Sequence, residues 1–158
     1  MTAGPAWRVR VAVDADLVEL QGVFRRASLS NPGDRAALLA HPEALLLGGE
    51  GVAQGRTRVA ITRQGRIAGF ATTLPVPGGV ELEDLFVDPP WMRQGVARLL
   101  IEDAVTGARR QGVERLEVDA NPHAMAFYRS VGFLPVGTTQ TAFGPGVRMH
   151  LVLLEPLV

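Results

Sequence analysis

The sequence predicts an α/β protein with a mixed sheet of about seven strands and helices on both faces. The first observation is the stretch from Val80 to Gly112, where a strand pattern, a turn and a long amphipathic helix precede a further strand. This order makes a right-handed crossover, so the two strands should be parallel. The second observation is a hairpin pattern around Gln64-Gly65, which predicts antiparallel neighbours. The third is the length of 158 residues, 47% of them apolar, which predicts a single domain over residues 1–158.

Hydrophobic periodicity and turn residues place the individual elements. Alternation predicts strands at residues 7–13, 57–63, 66–74, 80–87, 115–120, 136–143 and 147–154. Spacings of three and four predict helices at residues 15–27, 34–40, 96–112 and 122–132, and one helical turn at 43–47. Asp14 and Asp34 are the predicted N-caps of the first two helices. Turn residues predict a turn at 31–33, a mobile loop at 48–55, a second loop at 75–79 and the last hairpin turn at 144–146.

Composition excludes several classes of function. Cysteine is absent, which excludes disulfides, thiolate metal sites and a cysteine nucleophile. The 16 acids balance 16 basic residues, all of them arginine, so no global field favours nucleic acid or an anionic membrane. The N-terminal residues lack a signal-peptide pattern, and no apolar run approaches the roughly 18 residues of a membrane span. The histidines lack metal-ligand spacing. We therefore expect a cytoplasmic protein without a metal, a nucleic-acid partner or a membrane partner.

The turn at Gly95 is a candidate anion site. The long helix opens there, and the first N–H groups of a helix have no intrahelical partner and lie at the positive end of the helix dipole. A phosphate group is the natural ligand of such a terminus. Gly95 lets the backbone approach a ligand closely, and Ala97 is small for the same reason. The simpler interpretation is a crossover turn in which Gly95 only serves the shape of the backbone.

Two blocks of the sequence resemble the GNAT family, the GCN5-related N-acetyltransferases. LFVDPPWMRQGVARLLIEDA is similar to the family's acetyl-CoA pyrophosphate motif, whose core is Arg or Gln, two residues, Gly, one residue, then Gly or Ala. NPHAMAFYRSVGF is similar to the block of Asn, an aromatic-Tyr pair on a helix and Gly-Phe that ends most members. The order of elements from Trp7 to Leu154 also matches. One departure is Met92 at the first motif position, followed by Arg93 and Gln94, which leaves the register of the turn open.

The resemblance implies a GNAT-type acyl-CoA fold with acetyl-CoA as co-substrate. The cofactor's pyrophosphate would bind backbone N–H groups of the turn, namely those of Gln94, Gly95, Val96, Ala97 and Arg98. Arg93 and Arg98 would add charge-assisted contacts. The family's strand bulges and separates from its parallel neighbour at its end, and there the pantetheine arm would pair with backbone groups of Leu85, Phe86 and Val87. Asn121 would bond the pantetheine or the adenine side of the cofactor, or would only cap its helix.

Tyr128 and Glu81 are the catalytic residues that the resemblance implies. The departing thiolate needs a proton, and a phenol with a reference pKa of about 10 can supply one at pH 7. Tyr128 lies at the position of the family's acid, and the other interpretation is a buried tyrosine with a bonded hydroxyl. Glu81 matches the position of a catalytic glutamate in several members. Glu83 or a water relay are the alternatives for the base, and these glutamates could instead bind a cationic amine or face solvent.

Together these residues predict direct transfer of an acetyl group from acetyl-CoA to a primary amine of a small molecule or peptide. No covalent intermediate is expected, since no nucleophile arrangement is evident. The alternative is a non-catalytic acyl-CoA-binding module of the same fold that acts as a sensor or interaction partner. Transfer of another acyl group is a third option. The expected acceptor-contacting segments, residues 29–47, 76–79 and 138–146, carry no recognisable code. Dimers are common in this fold, and a homodimer is compatible with the sequence.

Overall fold

The structure is a computed structural model that describes residues 6–141 and 144–153. Its strands are β1 (Trp7–Val11), β2 (Thr57–Thr62), β3 (Ile67–Val76), β4 (Gly79–Val87), β5 (Arg115–Ala120), β6 (Leu134–Thr141) and β7 (Gly144–Val152). They form one seven-stranded sheet in the order β1-β2-β3-β4-β5-β7-β6. β4 and β5 are parallel, whereas β1 with β2, β2 with β3, β5 with β7 and β6 with β7 are antiparallel. The predicted mixed sheet and its parallel pair are confirmed.

Within residues 6–141 and 144–153, five α-helices and four short 3-10 helices accompany the sheet. The α-helices are α1 (Leu17–Leu29), α2 (Pro32–Ala40), α3 (Glu50–Ala53), α4 (Val96–Arg110) and α5 (Met125–Ser130). The 3-10 helices are Asp14–Asp16, Pro42–Leu45, Pro89–Trp91 and Pro122–Ala124. Among the residues that the structure describes, no helix is both long enough and apolar enough to cross a membrane.

The chain packs as two compact units. The first consists of residues 1–72 and 84–100, and the second of residues 73–83 and 101–158. The buried core of the first unit includes Leu20, Val23, Val59, Ile61 and Phe70. The second unit buries Leu116, Val118, Tyr128, Phe133 and Met149. The chain passes from one unit to the other within β3, β4 and α4. A single domain over the whole chain stays a prediction.

The caps of the first two helices differ from the prediction. The carboxylate of Asp16, and not that of Asp14, accepts the backbone N–H of Val13 at 2.8 Å. The side chain of Asn31 caps α2 by accepting the N–H of Gly33 at 3.0 Å. The predicted turn at residues 31–33 is therefore wrong, because Pro32 suits the first position of a helix. Asp34 lies in the first turn of that helix and is not its cap.

The glycine-rich segment 48–55 was predicted to be a mobile loop, and this is wrong for its middle part, residues 50–53. It contains the helix α3, in which Gly51 and Val52 are buried. A Cβ atom on Gly51 would lie 2.6 Å from Oγ1 of Thr57. Thr57 and Thr72 are themselves buried, and their hydroxyl oxygens are 2.8 Å apart. The glycine therefore permits close packing of α3, and it does not mark a flexible chain.

Of three predicted connections between strands, one agrees with the structure and two differ from it in length or position. Gly65 has φ of 84° in the turn between β2 and β3, so the first hairpin is confirmed. β3 runs to Val76 and β4 starts at Gly79, so the predicted loop at 75–79 is shorter. The predicted turn 144–146 belongs to β7, where Thr141 pairs with Gly144. Proline is tolerated near the beginning of a strand. Residues 142–143 and 154, the predicted ends of the last two strands, lie outside the described residues.

Candidate active site

In the first unit, a turn at residues 92–95 leads into α4. A short 3-10 helix precedes the turn, and α4 begins at Val96. Leu99 donates a helical hydrogen bond to the carbonyl oxygen of Gly95 at 3.0 Å. The preceding N–H groups, those of residues 96–98, lie in the first helical turn and have no acceptor within the helix. They stand at the positive end of the dipole of a 15-residue helix. The sequence-based anion site therefore has the expected helix behind it.

The backbone of this turn alternates in handedness. Arg93 has φ of 63° and is the only non-glycine residue with positive φ within residues 6–141 and 144–153; Gly95 has φ of 91°. A left-handed conformation costs a residue with a side chain roughly 1–2 kcal/mol, and such strain concentrates at functional sites. Successive N–H groups in alternating left- and right-handed conformations form a concave nest that binds anions. The turn is therefore suited to a phosphate through its backbone alone.

The side chains around the turn divide into anchors and exposed groups. Val96 is 1% exposed and fixes the start of α4, whereas Arg93, Gln94 and Arg98 are exposed. The amide of Gln94 donates to the carbonyl oxygen of Pro90 at 3.1 Å. The two arginines are therefore in the environment in which they could add the predicted charge-assisted contacts.

The end of β4 comes close to β3 in the first unit. A Cβ atom on Gly69 would lie 2.7 Å from the carbonyl oxygen of Phe86 and 3.1 Å from a methyl group of Val96. The ring of Phe86 packs against those of Phe24 and Phe70, with centroids 4.9 and 5.6 Å away. Because Gly69 has no side chain, the end of β4 and Val96, the first residue of α4, can both pack directly against it.

The backbone of the predicted pantetheine segment, residues 85–87, extends past the pairing of β4 with β5. That pairing joins only Gly79–Glu81 with Arg115–Glu117, although β4 continues to Val87 and β5 to Ala120. The three side chains are half-buried. A purely structural role in the core would also account for this burial. The bulge and the binding of pantetheine by this segment stay predictions.

Asp88 and Arg26 are site-flanking residues that the sequence reasoning missed. Asp88 follows the last residue of β4 and is 5% exposed. Its two carboxylate oxygens accept Nε and Nη2 of Arg26 on α1, each at 2.9 Å. The signal in the sequence was an isolated aspartate between an apolar strand and two prolines. Its partner lies 62 positions away, so the pair could not be read from the sequence.

In the second unit, the ring of Tyr128 is buried but its hydroxyl is not engaged. The residue is 8% exposed, and its ring packs edge-on against Phe127 and Phe133. Within the described ranges the hydroxyl has no hydrogen-bond partner, and no fully buried side-chain oxygen is unpaired. The hydroxyl oxygen therefore reaches the surface. Burial raises the pKa of Tyr128 to about 12, so the phenol stays neutral and keeps its proton at physiological pH.

Two polar residues of the second unit, Asn121 and His123, lie near Tyr128 in sequence and are exposed. Asn121 precedes the 3-10 helix, but its side chain makes no capping hydrogen bond. The capping interpretation is therefore wrong, because the N–H of Ala124, which a capping side chain could accept, bonds to the carbonyl oxygen of Asn121 at 2.9 Å. A cofactor contact of Asn121 stays a prediction. His123, in the same 3-10 helix, is also exposed.

Glu81 lies in a row of charged residues across three strands of the second unit. The register pairs Glu81 with Glu117 and Glu117 with His150. Glu117 is 6% exposed and accepts Nε of Arg115 at 2.9 Å. Two residues further along these strands, Arg148 donates two hydrogen bonds to Asp119, at 2.9 and 3.1 Å. We call this set of residues the charged row.

The environment of Glu81 favours the neutral form of its carboxyl. Partial burial is the largest cause, and the negative charge of Asp119 is the next, so the pKa of Glu81 is raised above its ordinary value of 4.5. Arg148 opposes this shift. A carboxylate with a raised pKa is a better proton acceptor. Glu83, the alternative base, is exposed. Within the described residues, no group of three or more histidine or acidic side chains could hold a metal ion.

Comparisons of sequence with known proteins agree with these features. The sequence model of the acetyltransferase (GNAT) domain matches residues 47–153. A [ribosomal protein bS18]-alanine N-acetyltransferase of Escherichia coli K12 is 36% identical over 76 residues, 46% of this chain and 51% of that protein. A peptidyl-lysine N-acetyltransferase of Salmonella typhimurium is 32% identical over 82 residues, 52% of each protein. The chain thus spans about half the length of the curated relatives that it matches.

Solved structures agree over nearly the whole chain. A PaiA N-acetyltransferase of Thermoplasma acidophilum, solved with coenzyme A, has a TM-score of 0.75 at 16% identity and covers 94% of this chain and 99% of its own. The ribosomal-protein-S18-alanine N-acetyltransferase of E. coli has a TM-score of 0.69 at 24% identity, with 95% and 96% covered. At these identities the likeness shows the fold. Since the domain match covers more than half of the sequence, the chain belongs to the GNAT family of acetyltransferases.

Proposed function

We propose that the protein is an acetyl-CoA-dependent N-acetyltransferase that moves the acetyl group directly from the thioester to a primary amine. The observation that carries the proposal is Tyr128, whose buried ring holds an unbonded hydroxyl at the surface. The neighbouring rings of Phe127 and Phe133 hold the tyrosine ring in place, so its hydroxyl is presented at a fixed point. A phenol that is protonated at physiological pH can give a hydrogen bond or its proton to the leaving sulfur, and its burial makes it a weaker acid, not a stronger one.

The turn at residues 92–95 and the first turn of α4 would hold the cofactor's pyrophosphate. The positive φ of Arg93 and Gly95 shapes the nest, and the N–H groups of residues 94–98 are the donors. A relative of the same fold was solved with coenzyme A, which supports this role. Residues 85–87 would pair with the pantetheine amides, and Asn121 would add a polar contact to the cofactor.

Acetyl-CoA supplies the acetyl group as an activated thioester. Glu81 would take a proton from the attacking ammonium group, directly or through water, so that the nitrogen has a free electron pair for the carbonyl carbon. Tyr128 would donate its proton to the sulfur as the C–S bond breaks. The second proton, which the nitrogen loses as the amide forms, would return Tyr128 to the phenol, directly or through water. The products are an N-acetyl amine and a free thiol, and no covalent bond to the protein forms.

The acceptor we propose is an amine of a protein or peptide. Two relatives, by their names, act on a ribosomal-protein alanine and on peptidyl lysine. The charged row also suits a cationic amine, because Glu81, Glu117 and Asp119 outnumber the two arginines that pair with them. A small-molecule amine is the alternative class. A homodimer and a cytoplasmic location stay predictions of the sequence.

Isothermal titration with coenzyme A tests cofactor binding, and the expected dissociation constant is in the micromolar range, on the order of enzyme KM values. Thiol release from acetyl-CoA would then be measured with peptides beginning with alanine, lysine peptides, polyamines, amino acids and aminoglycosides. Failure of the protein to bind coenzyme A would contradict the proposal. Binding without thiol release over the whole panel would favour the non-catalytic module.

A further inference from the structure

An ion pair flanks the phosphate-binding turn in the first unit. Asp88 lies between β4 and the 3-10 helix that leads into the turn, and it is nearly buried. Both of its oxygens are bonded to Arg26. The side chain of Arg26 passes over Gly22, where a Cβ atom would lie 2.9 Å from Nη1. The glycine on α1 therefore leaves room for the arginine to reach Asp88.

Asp88 is also an anchor of the backbone that carries the turn. Its N–H donates to the carbonyl oxygen of Ala68 on β3 at 2.8 Å, and its own carbonyl oxygen accepts the N–H of Trp91 at 2.8 Å. The carboxylate, the strand end and the 3-10 helix are thus fixed to one another. Any movement of Asp88 would therefore also move the 3-10 helix, Pro89–Trp91, that leads into the turn.

The charge of Asp88 is unfavourable for an anion site. A carboxylate that is 5% exposed is weakly screened by solvent, and it precedes Arg93 by only five positions. A bound pyrophosphate would be repelled by it unless a cation neutralises the carboxylate. Arg26 is the cation that does this, and its bidentate geometry also fixes where the charge lies.

We propose that Arg26 is a positioning residue for cofactor binding, which neutralises and orients Asp88 so that the turn can accept a polyanionic ligand. This inference rests on the proposed function of the turn. Arg26 does not touch the cofactor in this scheme, and its effect passes through Asp88. Removal of the arginine charge should therefore lower the affinity for ligands that carry phosphate groups. Removal of both charges should restore that affinity.

The test measures the affinities of coenzyme A and of pantetheine, which lacks the phosphates, for wild type and variants by NMR titration. In Arg26→Gln we expect coenzyme A to bind about tenfold more weakly, a coupling within the usual range between sites, and pantetheine to bind within about twofold of wild type. Arg26→Lys should keep most of the affinity. Arg26→Gln with Asp88→Asn should return coenzyme A to within about threefold of wild type, since removing both partners of a pair can be nearly neutral.

Arg10→Gln is the matched control. Arg10 makes a similar two-bond contact with Asp16, at 2.8 and 3.0 Å, in the same unit. Its loss should leave coenzyme A affinity unchanged. Thermal melting of each variant shows whether it is folded, and the double variant carries the test if Arg26→Gln alone does not fold.

The outcomes separate this inference from the proposed function. If wild type does not bind coenzyme A, both are overturned. If wild type binds it and Arg26→Gln binds it equally well, only the inference fails. It also fails if Arg26→Gln weakens coenzyme A and pantetheine to the same degree, or if the double variant stays as weak as Arg26→Gln.

Discussion

The turn at residues 92–95, the proposed phosphate site, and the region of Tyr128 are built in opposite ways. In the turn, the proposed functional groups are backbone N–H groups, and the nearby arginines and Gln94 are exposed. Around Tyr128, the proposed functional group is one side-chain hydroxyl, and the surrounding rings of Phe127 and Phe133 fix its position. A site made of backbone depends on φ angles and on glycine, whereas a site made of a side chain depends on the identity of that residue.

This difference gives separate experimental signatures for the two regions. Substitutions that keep the backbone path of the turn should change cofactor affinity only slightly, even when they remove charge. Substitutions of the functional side chains in the second unit should change the rate and leave affinity for coenzyme A almost intact. The predictions below begin with the largest expected change in rate and end with the smallest expected change in affinity for coenzyme A.

Tyr128→Phe should lower kcat by about 100-fold, because general acids contribute on the order of 10²–10⁴ to rates. The free energy of unfolding should change by less than about 0.5 kcal/mol, since the hydroxyl has no partner within the described residues. Thiol release and denaturant unfolding measure the two quantities. A rate within threefold of wild type would remove the acid role from Tyr128 while leaving the fold and the turn as described.

Glu81→Gln should lower the rate at neutral pH by about tenfold, less than a typical general base, because water can still take the amine proton. In wild type, the rate should fall as the pH drops through the raised pKa of Glu81, and the variant should lack this acidic limb. A pH profile of kcat is the measurement. Glu83→Gln on the same strand is the matched control, and loss of the limb in that variant would transfer the role to Glu83.

The free energy of unfolding should also depend on the protonation of the Glu81 carboxyl. Because the folded-state pKa of Glu81 is raised, the folded protein holds this proton more tightly than the unfolded chain. The resulting stabilisation is complete below the ordinary value of 4.5 and is lost as pH rises through the folded pKa. Glu81→Gln should thus be more stable than wild type at pH 7, by a few tenths of a kcal/mol, and equal to it in acid.

Gly95→Ala should weaken coenzyme A by about fivefold and cost about 1–2 kcal/mol of stability. Gly112→Ala is the matched control, because Gly112 follows the other end of α4, also has positive φ, 71°, and has no atom within 4 Å of an added Cβ. Gly112→Ala should lower stability by a similar amount and leave the affinity for coenzyme A unchanged. Equal affinities of the two variants for coenzyme A would contradict the backbone-built site.

Arg93→Gly should have the smallest effect on the affinity for coenzyme A. It removes the strain of φ 63°, so stability should rise by up to about 1 kcal/mol, and coenzyme A should bind within about threefold of wild type. Arg98→Gly, in the first turn of α4, should instead lower stability by about 1 kcal/mol. Opposite signs in thermal melts would support the description of the turn. A tenfold loss of affinity in Arg93→Gly would show that the arginine side chain carries the site.

The sequence predicted best the elements with strong periodicity. The bounds of β5, Arg115–Ala120, are those of the predicted strand, and α4 begins directly after Gly95. The sequence-based prediction failed at residues 48–55, because glycine is typical both of flexible loops and of elements that pack closely together. The structural use depends on Thr57 and Thr72, and their packing against Gly51 is a tertiary contact that no local pattern contains.

The candidate site shows the same division. Tyr128 could be nominated from the sequence because its chemistry belongs to one side chain within a recognisable block. The positive φ of Arg93 could not, since arginine has no preference for that conformation. The pair of Arg26 with Asp88 joins positions 62 residues apart, and only the packing of α1 against the strand end brings them together.

Tyr128 is the only tyrosine of the chain, and this makes the proposed acid an intrinsic chromophore. A phenolate absorbs in the near ultraviolet where a phenol does not, and the two tryptophans do not ionise. The alkaline absorbance change of the intact protein therefore belongs entirely to this residue. An optical titration with a midpoint near the pKa of about 12, repeated with coenzyme A, would follow the proposed catalytic proton without a label, a substitution or knowledge of the acceptor.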